Sequence, residues 1–209
     1  MSYQTKYQTN LGILVEEIDD FASNPREEDD GIFSKFYTFG RRYCSPDKHN
    51  YNSFCDWMKS IISSKKANEL DSLYQDGKEK EANKKLIEYA KERGIILLPV
   101  FRYEHSGVAY KAGDANPFND PWDSGMSGVI YCEKKDIYKN LKRRLCKSTV
   151  NLLNKMMVAE VEQYSSYANG EVYLYSIEGE EETYGTFYGD IDTNGIKDVL
   201  EITECEIIS

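Results

Sequence analysis

The residues best suited to chemistry lie in one polar loop region, positions 97–131, between two apolar runs. His105 is one of two histidines in the chain, and Asp123 and Ser124 follow it in this region. A histidine can act as a general base near neutral pH, a carboxylate can orient it, and a serine can then serve as nucleophile. Ser124 is a better nucleophile candidate than Ser106, because adjacent side chains such as those of His105 and Ser106 do not easily pair. The pattern predicts a pocket for hydrolysis or for binding a small ligand.

The same polar residues also suit an architectural role. Asp and Ser side chains commonly hydrogen-bond to nearby backbone in turns, and residues such as Pro121 and Gly125 let the chain bend. The chain lacks the G-x-S-x-G motif of many serine hydrolases. Loop architecture or partner contact is therefore favoured over catalysis. If there is a pocket, Arg26 and Arg41 are its candidate anion contacts.

A second candidate site lies near the C-terminus. Its residues fit the spacing D-x-D-x-N-G-x5-E of a calcium-binding EF-hand loop: Asp190, Asp192, Asn194, Gly195 and Glu201. In such a loop, short oxygen side chains surround Ca²⁺, the glycine permits a sharp turn, and the final Glu can bind through both oxygens. However, the preceding segment reads as a strand instead of a helix, and Lys197 occupies a position that is normally apolar. A plain Asp-Thr-Asn-Gly turn is the favoured alternative to Ca²⁺ binding.

The hydrophobic pattern predicts the strands and helices that must position these residues. Alternating or continuous apolar runs predict strands at 32–39, 95–103, 128–131, 171–177 and 183–188, and a strand or strand-helix mixture at 199–208. Helical spacing predicts a helix capped by Ser53, two helices within 67–93 that Gly77 separates and Gly94 ends, and a longer helix from Ser148 to Gly170. The expected fold is a single α+β domain over residues 1–209, with a mostly antiparallel β-sheet and helices packed on one face. Residues 53–93 form a helical layer or insertion.

Charge is distributed unevenly along the chain. The formal net charge is −10, yet residues 160–209 hold 13 Asp and Glu against one Lys, while the first 159 residues sum to +2. The most acidic point is the predicted turn of a hairpin in this acidic C-terminal part, formed by Glu178, Glu180, Glu181 and Glu182. Such asymmetry points to a basic partner, for example a protein that binds nucleic acid. The alternative is a solvated face that keeps the protein soluble.

Several motifs in the chain resemble one family of mobile-element proteins. The motifs are YEHSG at 103–107, DPWDSGMSGVIY at 120–131, NPREEDDGIF at 24–33, RRY at 41–43, EVEQYSSYANGEVY at 160–173 and GTFYG at 185–189. They are similar to those of uncharacterised proteins carried by bacteriophages, plasmids and other mobile elements, which show (D/E)HSG and then WDSGxxG followed by an aromatic or aliphatic residue and Tyr. The resemblance covers most of the chain in order. It implies a mobile-element setting and brings no biochemical activity with it.

Cysteine usage and hydropathy set further expectations. The five cysteines are widely spaced and include no C-x-x-C, which argues against a disulfide framework and a cysteine zinc site. The N-terminal segment has no targeting pattern, and no apolar run approaches the roughly 18 residues of a membrane span. We therefore expect a location in the reducing cytoplasm of a host cell, no membrane partner, and no cofactor other than the candidate Ca²⁺. The sequence favours no particular oligomeric state.

Two functional hypotheses emerge from the sequence. The first is an inhibitor that binds a host defence protein or ribonucleoprotein, such as a CRISPR effector or restriction enzyme, with no direct contact to nucleic acid. Its acidic surface would compete for a DNA or RNA groove, and the contact residues would be the hairpin glutamates with Arg26 and Trp122. The second is a small-ligand-binding protein or hydrolase with its pocket at the HSG and WDSG loops. The first is favoured, since no convincing catalytic set is present.

Overall fold

The computed structural model describes residues 4–27, 32, 34–40 and 44–208. Within these ranges the chain is α+β with antiparallel sheets, which confirms the predicted fold class. The strands are β1 (Gln4–Thr9), β2 (Gly12–Ile18), β3 (Lys35–Thr38), β4 (Ile95–His105), β5 (Gly107–Ala112), β6 (Ser124–Glu133), β7 (Val172–Ile177), β8 (Thr183–Tyr188) and β9 (Cys205–Ile207). The helices are α1 (Phe54–Ile61), α2 (Ser64–Gln75), α3 (Glu79–Glu92), α4 (Lys134–Leu141), α5 (Lys147–Ala168) and α6 (Ile196–Val199).

The chain divides into two compact units. The terminal unit comprises Met1–Pro25 and Ser165–Ser209, and the central unit comprises Arg26–Tyr164. The sheet of the terminal unit has the strand order β8-β7-β2-β1-β9, so strands from both ends of the chain pair with one another. Its core is small and includes Leu14, Tyr175 and Ile196. Among the described residues, no helix has both the length and the apolar character needed to cross a membrane.

The central unit is built on a sheet with the order β3-β6-β4-β5. Helices α1 to α3 pack on one face, where Trp57 and Leu86 are completely buried against strand residues such as Val129. Side chains alternate between the two faces of a strand, so the side chains of Phe36 and Tyr37 in β3 point to opposite faces of the sheet. Tyr37 joins the core beneath α1 to α3, whereas the ring of Phe36 contacts Tyr164 near the end of α5, with centroids 5.4 Å apart. Both faces of this sheet are therefore covered.

Several predicted element ends agree with the structure. Ser53 caps α1 by accepting a hydrogen bond from the backbone of Asp56, as predicted. Gly94, with φ +74°, follows α3 and lets the chain reverse into β4. The predicted segment at 199–208 is mostly irregular, since α6 ends at Val199 and β9 covers three residues. The strand predicted at 32–39 covers only Lys35–Thr38 among the described residues.

Candidate functional site

A polar pocket lies in the central unit beside the paired ends of β4 and β6. Its cavity volume is about 400 Å³, and it is open to solvent. The residues that line it are Phe39, Gly40, Arg102, Glu104, Trp122, Asp123, Ser124, Gly125, Met126 and Ser127. Trp122, Asp123 and Ser124 were candidate site residues on sequence grounds, and the structure brings them together here. Of the remaining lining residues, Phe39 and Gly40 follow β3, and the others belong to β4 and β6, close in sequence to the HSG and WDSG motifs.

Strand register creates this pocket. The pairing of β4 with β6 shifts between Val100 and Phe101, and beyond this irregularity Arg102 lies opposite Gly125. A Cβ atom added to Gly125 would meet nothing within 4 Å, so the glycine leaves open space beside the Arg102 side chain. On another side, a Cβ at Gly40 would come within 3.1 Å of Arg102 Nη1. The guanidinium therefore lies close against the backbone at Gly40, and its Nε is 3.2 Å from Glu104 Oε2.

His105 forms a pair with Asp123 at the edge of this region. The imidazole lies at the end of β4, where Ser106 adopts a left-handed φ of 55° and reverses the chain into β5. His105 Nδ1 is 3.1 Å from Asp123 Oδ2, and the histidine side chain is 68% exposed. A carboxylate oxygen of Asp123 can accept a hydrogen bond from His105 Nδ1, which orients the ring. Such a pair is capable of general acid-base chemistry.

The Ser124 hydroxyl takes part in a different set of hydrogen bonds. It donates to the backbone carbonyl of Asp120 and accepts from Asn116 Nδ2 at 2.9 Å. Asp120 in turn accepts the backbone N–H groups of Trp122 and Asp123, and these two donors hold its pKa below the usual value. Ser124 and Asp120 thus stabilise the turn that presents Trp122 to solvent. Within the described loop, the imidazole and the serine hydroxyl are held by separate partners.

Arg26, a predicted contact residue, is directed into the central unit. Its side chain is 2% exposed, and Nε and Nη2 each lie 2.8 Å from the Asp47 carboxylate. Nη1 pairs with Glu160, and Nη2 donates to the backbone carbonyl of Ser34 at 3.1 Å. These acidic partners keep the Arg26 pKa above its ordinary value despite the opposing effect of burial. The Arg26 guanidinium therefore binds carboxylates of the protein itself, whereas the sequence suggested that it binds an anionic ligand. Arg41, the other candidate anion contact, lies outside the described residues.

The acidic hairpin forms as β7 and β8 in the terminal unit. Glu178, Glu180, Glu181 and Glu182 occupy its turn and are all exposed. Glu178 pairs with Lys6 Nζ at 2.8 Å, and Glu182 accepts a hydrogen bond from the Tyr184 hydroxyl at 2.9 Å. The bond to Glu182 raises the pKa of Tyr184, because a nearby carboxylate disfavours the phenolate.

The EF-hand-like segment is folded as a turn that leads into α6. Asp190 Oδ1 accepts the backbone N–H of Asp192, and the Asp192 carboxylate pairs with Lys197. Asn194 donates to the Tyr175 hydroxyl at 2.9 Å, while its side-chain carbonyl accepts the backbone N–H of Ile196. In the described residues, no group of three or more His, Cys, Asp or Glu is arranged to hold a metal ion. Oxygens of Asp192 and Asn194 thus interact with groups of the protein, and Glu201, with φ 53°, follows α6. Ca²⁺ binding by these residues stays a prediction.

The Cys146 thiol has an unusual chemical environment that was not predicted from the sequence. It immediately precedes α5, and its carbonyl accepts the backbone N–H of Val150. The hydroxyls of Ser148 and Thr149 lie 3.1 and 3.2 Å from Sγ, and with the local backbone donors they lower the thiol pKa to about 7. The Ser and Thr at the second and third positions after the cysteine, at the start of a helical pattern, would have been the available signal.

Comparison with known proteins identifies no relative. No family model matches the chain, and neither a curated protein nor a solved structure matches it significantly.

Proposed function

We propose that the protein is an inhibitor that binds a host nucleic-acid-handling defence complex, such as a CRISPR effector or a restriction enzyme, and competes for its DNA or RNA groove. The charge of the terminal unit carries this proposal. That unit contains 15 Asp and Glu against two Lys, a net charge of −13, whereas the central unit sums to +3. Proteins that bind nucleic acid neutralise phosphates with Lys and Arg, so a dense carboxylate surface is complementary to their grooves.

Both lysines of the terminal unit form ion pairs with carboxylates of the same unit. Lys6 pairs with Glu178 at 2.8 Å, and Lys197 pairs with Asp192. These are the two lysines of the unit, and each lies beside a carboxylate. A basic groove approaching this unit would thus meet carboxylates in excess, with little repulsion from like charges.

The hairpin turn is the best candidate for the centre of this contact. Three consecutive glutamates, Glu180, Glu181 and Glu182, are exposed between two strands that hydrogen-bond to each other. Because the strands hold the turn in place, a partner does not have to order a flexible segment to contact these charges. The mobile-element setting implied by the sequence motifs supports a host defence complex as the target and the host cytoplasm as the location.

A second candidate function is supported by the central pocket, where Trp122, Asp123 and Ser124 come together and His105 pairs with Asp123. A small-ligand-binding protein or hydrolase would use this pocket. The two candidates predict opposite effects of substitution. Reversing Glu180, Glu181 and Glu182 to Lys abolishes the activity of an acidic inhibitor, which tolerates His105→Ala; a pocket-dependent protein shows the inverse pattern.

The test begins with tagged protein and lysate from a host with active CRISPR and restriction systems, followed by mass spectrometry of the captured proteins. A recovered nuclease complex is then purified, and its binding to labelled target DNA or RNA is measured with increasing amounts of the protein. Competition is expected, and the affinity of the protein for the complex should fall steeply with added salt because the contact is between exposed charges.

The matched control keeps the change in net charge constant. The triple variant of Glu180, Glu181 and Glu182 to Lys is compared with a triple variant of Glu88, Asp114 and Glu162 to Lys, three exposed acids of the central unit. Both variants change the formal charge by the same amount, but only the first should lose binding. Equal loss of binding in both variants would show that the effect depends on net charge alone. Full binding by the hairpin variant would refute the proposed contact.

A further inference from the structure

We propose that the pocket beside the paired ends of β4 and β6 is a binding site for a guanidinium group. This inference concerns the central unit and does not depend on the proposed function of the terminal unit. A cavity of about 400 Å³ lies at the lower end of the range for small-molecule sites. It is large enough for a single planar group with a short aliphatic chain.

The shape of the pocket results from glycine at a strand position. Gly125 lies opposite Arg102 in the β4–β6 pairing, and the space that a side chain would occupy there is open. Glycine weakens a strand because it adds backbone entropy to the unfolded chain and has no side chain to pack. Its presence here produces an open cavity between the Arg102–Glu104 pair and the turn that carries Trp122.

The charges of the lining favour a cation. Among the described residues that line the pocket, the charged ones are Arg102, Glu104 and Asp123, which sum to −1. Arg102 Nε lies 3.2 Å from Glu104 Oε2, so these two charges offset each other, and Asp123 supplies the excess. The Asp123 side chain is 40% exposed, and its Oδ2 lies 3.1 Å from His105 Nδ1.

The aromatic residues favour a planar cation over a compact one. Trp122 is 92% exposed, and the turn holds it there because Asp120 accepts its backbone N–H at 2.9 Å. Phe39 lines another part of the same pocket. A guanidinium can stack on an aromatic face while its edge donates two hydrogen bonds to a carboxylate, whereas an ammonium is a strongly hydrated point charge. Trp122 and Asp123 are consecutive and offer these two contacts at one rim.

The test uses ethylguanidinium chloride with ethylurea as its neutral, planar counterpart. Trp57 is completely buried, so quenching of tryptophan fluorescence by acrylamide reports mainly on Trp122. We expect ethylguanidinium to protect Trp122 from the quencher and to bind at least about tenfold more tightly than ethylurea, because its hydrogen bonds to Asp123 are charge-assisted. Ethylammonium should also bind more weakly. Equal binding of ethylguanidinium and ethylurea would overturn the proposal.

Two variants test the location of the site. Gly125→Leu fills the cavity without a backbone clash, and Asp123→Asn removes the excess charge while keeping the side-chain shape. Each is expected to weaken ethylguanidinium binding at least about tenfold, as isothermal titration calorimetry would show. Gly113→Ala, a glycine outside the lining with ordinary contacts, is the control and should bind normally. Undiminished binding by Asp123→Asn contradicts the site even if Gly125→Leu does not fold.

The source of the guanidinium is distinguished with a capped amino acid. Nα-acetylargininamide has one positive charge, like ethylguanidinium, but carries the peptide groups that flank an arginine in a protein. Equal affinity for the two probes would show that the pocket can bind an arginine side chain of a protein partner. Exclusion of the capped form would identify a free small molecule. Both results support a guanidinium site, whereas failure of both probes to bind refutes it without bearing on the terminal unit.

Discussion

Replacing Arg26 by Met should destabilise the central unit strongly. The Arg26 side chain is 2% exposed, and its partners Asp47 and Glu160 are 20% and 14% exposed. Removal of the guanidinium leaves two largely buried carboxylates without their counterion. Loss of one partner from a buried ion pair typically costs about 3–5 kcal/mol of unfolding free energy. Asp47 also accepts the backbone N–H of Phe36 at 2.7 Å, so the start of β3 depends on the same group.

The assay is urea unfolding at pH 7, followed by circular dichroism and by the fluorescence of Trp57, which is buried in the central unit. Lys48→Met is the matched control, because Lys48 and Glu27 form an exposed pair at 3.8 Å with 96% and 64% exposed side chains. Such a pair contributes only about 0–1 kcal/mol. Adding Glu160→Gln to Arg26→Met should recover part of the loss by removing one orphaned charge. An Arg26→Met cost as small as that of Lys48→Met would refute the buried-ion-pair reasoning.

Three further predictions concern single residues. Gly128→Ala would place Cβ 2.0 Å from the Tyr37 carbonyl oxygen, so thermal unfolding should show a loss well above the ~1 kcal/mol typical of point substitutions. Tyr175→Phe removes the hydroxyl that donates to Glu16 at 2.6 Å in the terminal unit; it should cost about 1–3 kcal/mol, measurable as faster amide exchange in β7. The Cys146 pKa is lowered to about 7, so its alkylation by iodoacetamide should rise with pH around a midpoint near 7, and a midpoint near the ~8.5 of an ordinary thiol would contradict this.

Local sequence signals predicted the elements well where they did not depend on distant partners. The continuous apolar run of β4, the Ser53 cap and the Gly94 turn each act within a few residues, and the structure contains all three. The predicted segment at 199–208 has apolar residues at spacings that suit either a strand or a helix. Its actual structure depends on pairing with β1, which is nearly 200 residues away in sequence.

The pocket could be predicted only in part. Trp122, Asp123 and Ser124 are consecutive, so their proximity required no tertiary information. The positions of Arg102 and Gly125 depend on the irregular register between β4 and β6, and register is set by sheet pairing as a whole. Ser124 was the nucleophile candidate of the catalytic hypothesis, and loop architecture was the favoured alternative. Its hydroxyl donates to the backbone carbonyl of Asp120, which is the kind of bond that Ser commonly makes in loops.

The concentration of charge in the terminal unit has a consequence for its own folding. With 15 carboxylates and two lysines, the folded unit holds like charges closer together than its unfolded chain does. Dissolved ions screen this self-repulsion over a Debye length of about 8 Å at physiological ionic strength. The terminal unit should therefore become more stable as salt is added, as proteins of halophilic organisms do. Low ionic strength, which favours charged complexes, is then the condition in which this unit itself is least stable.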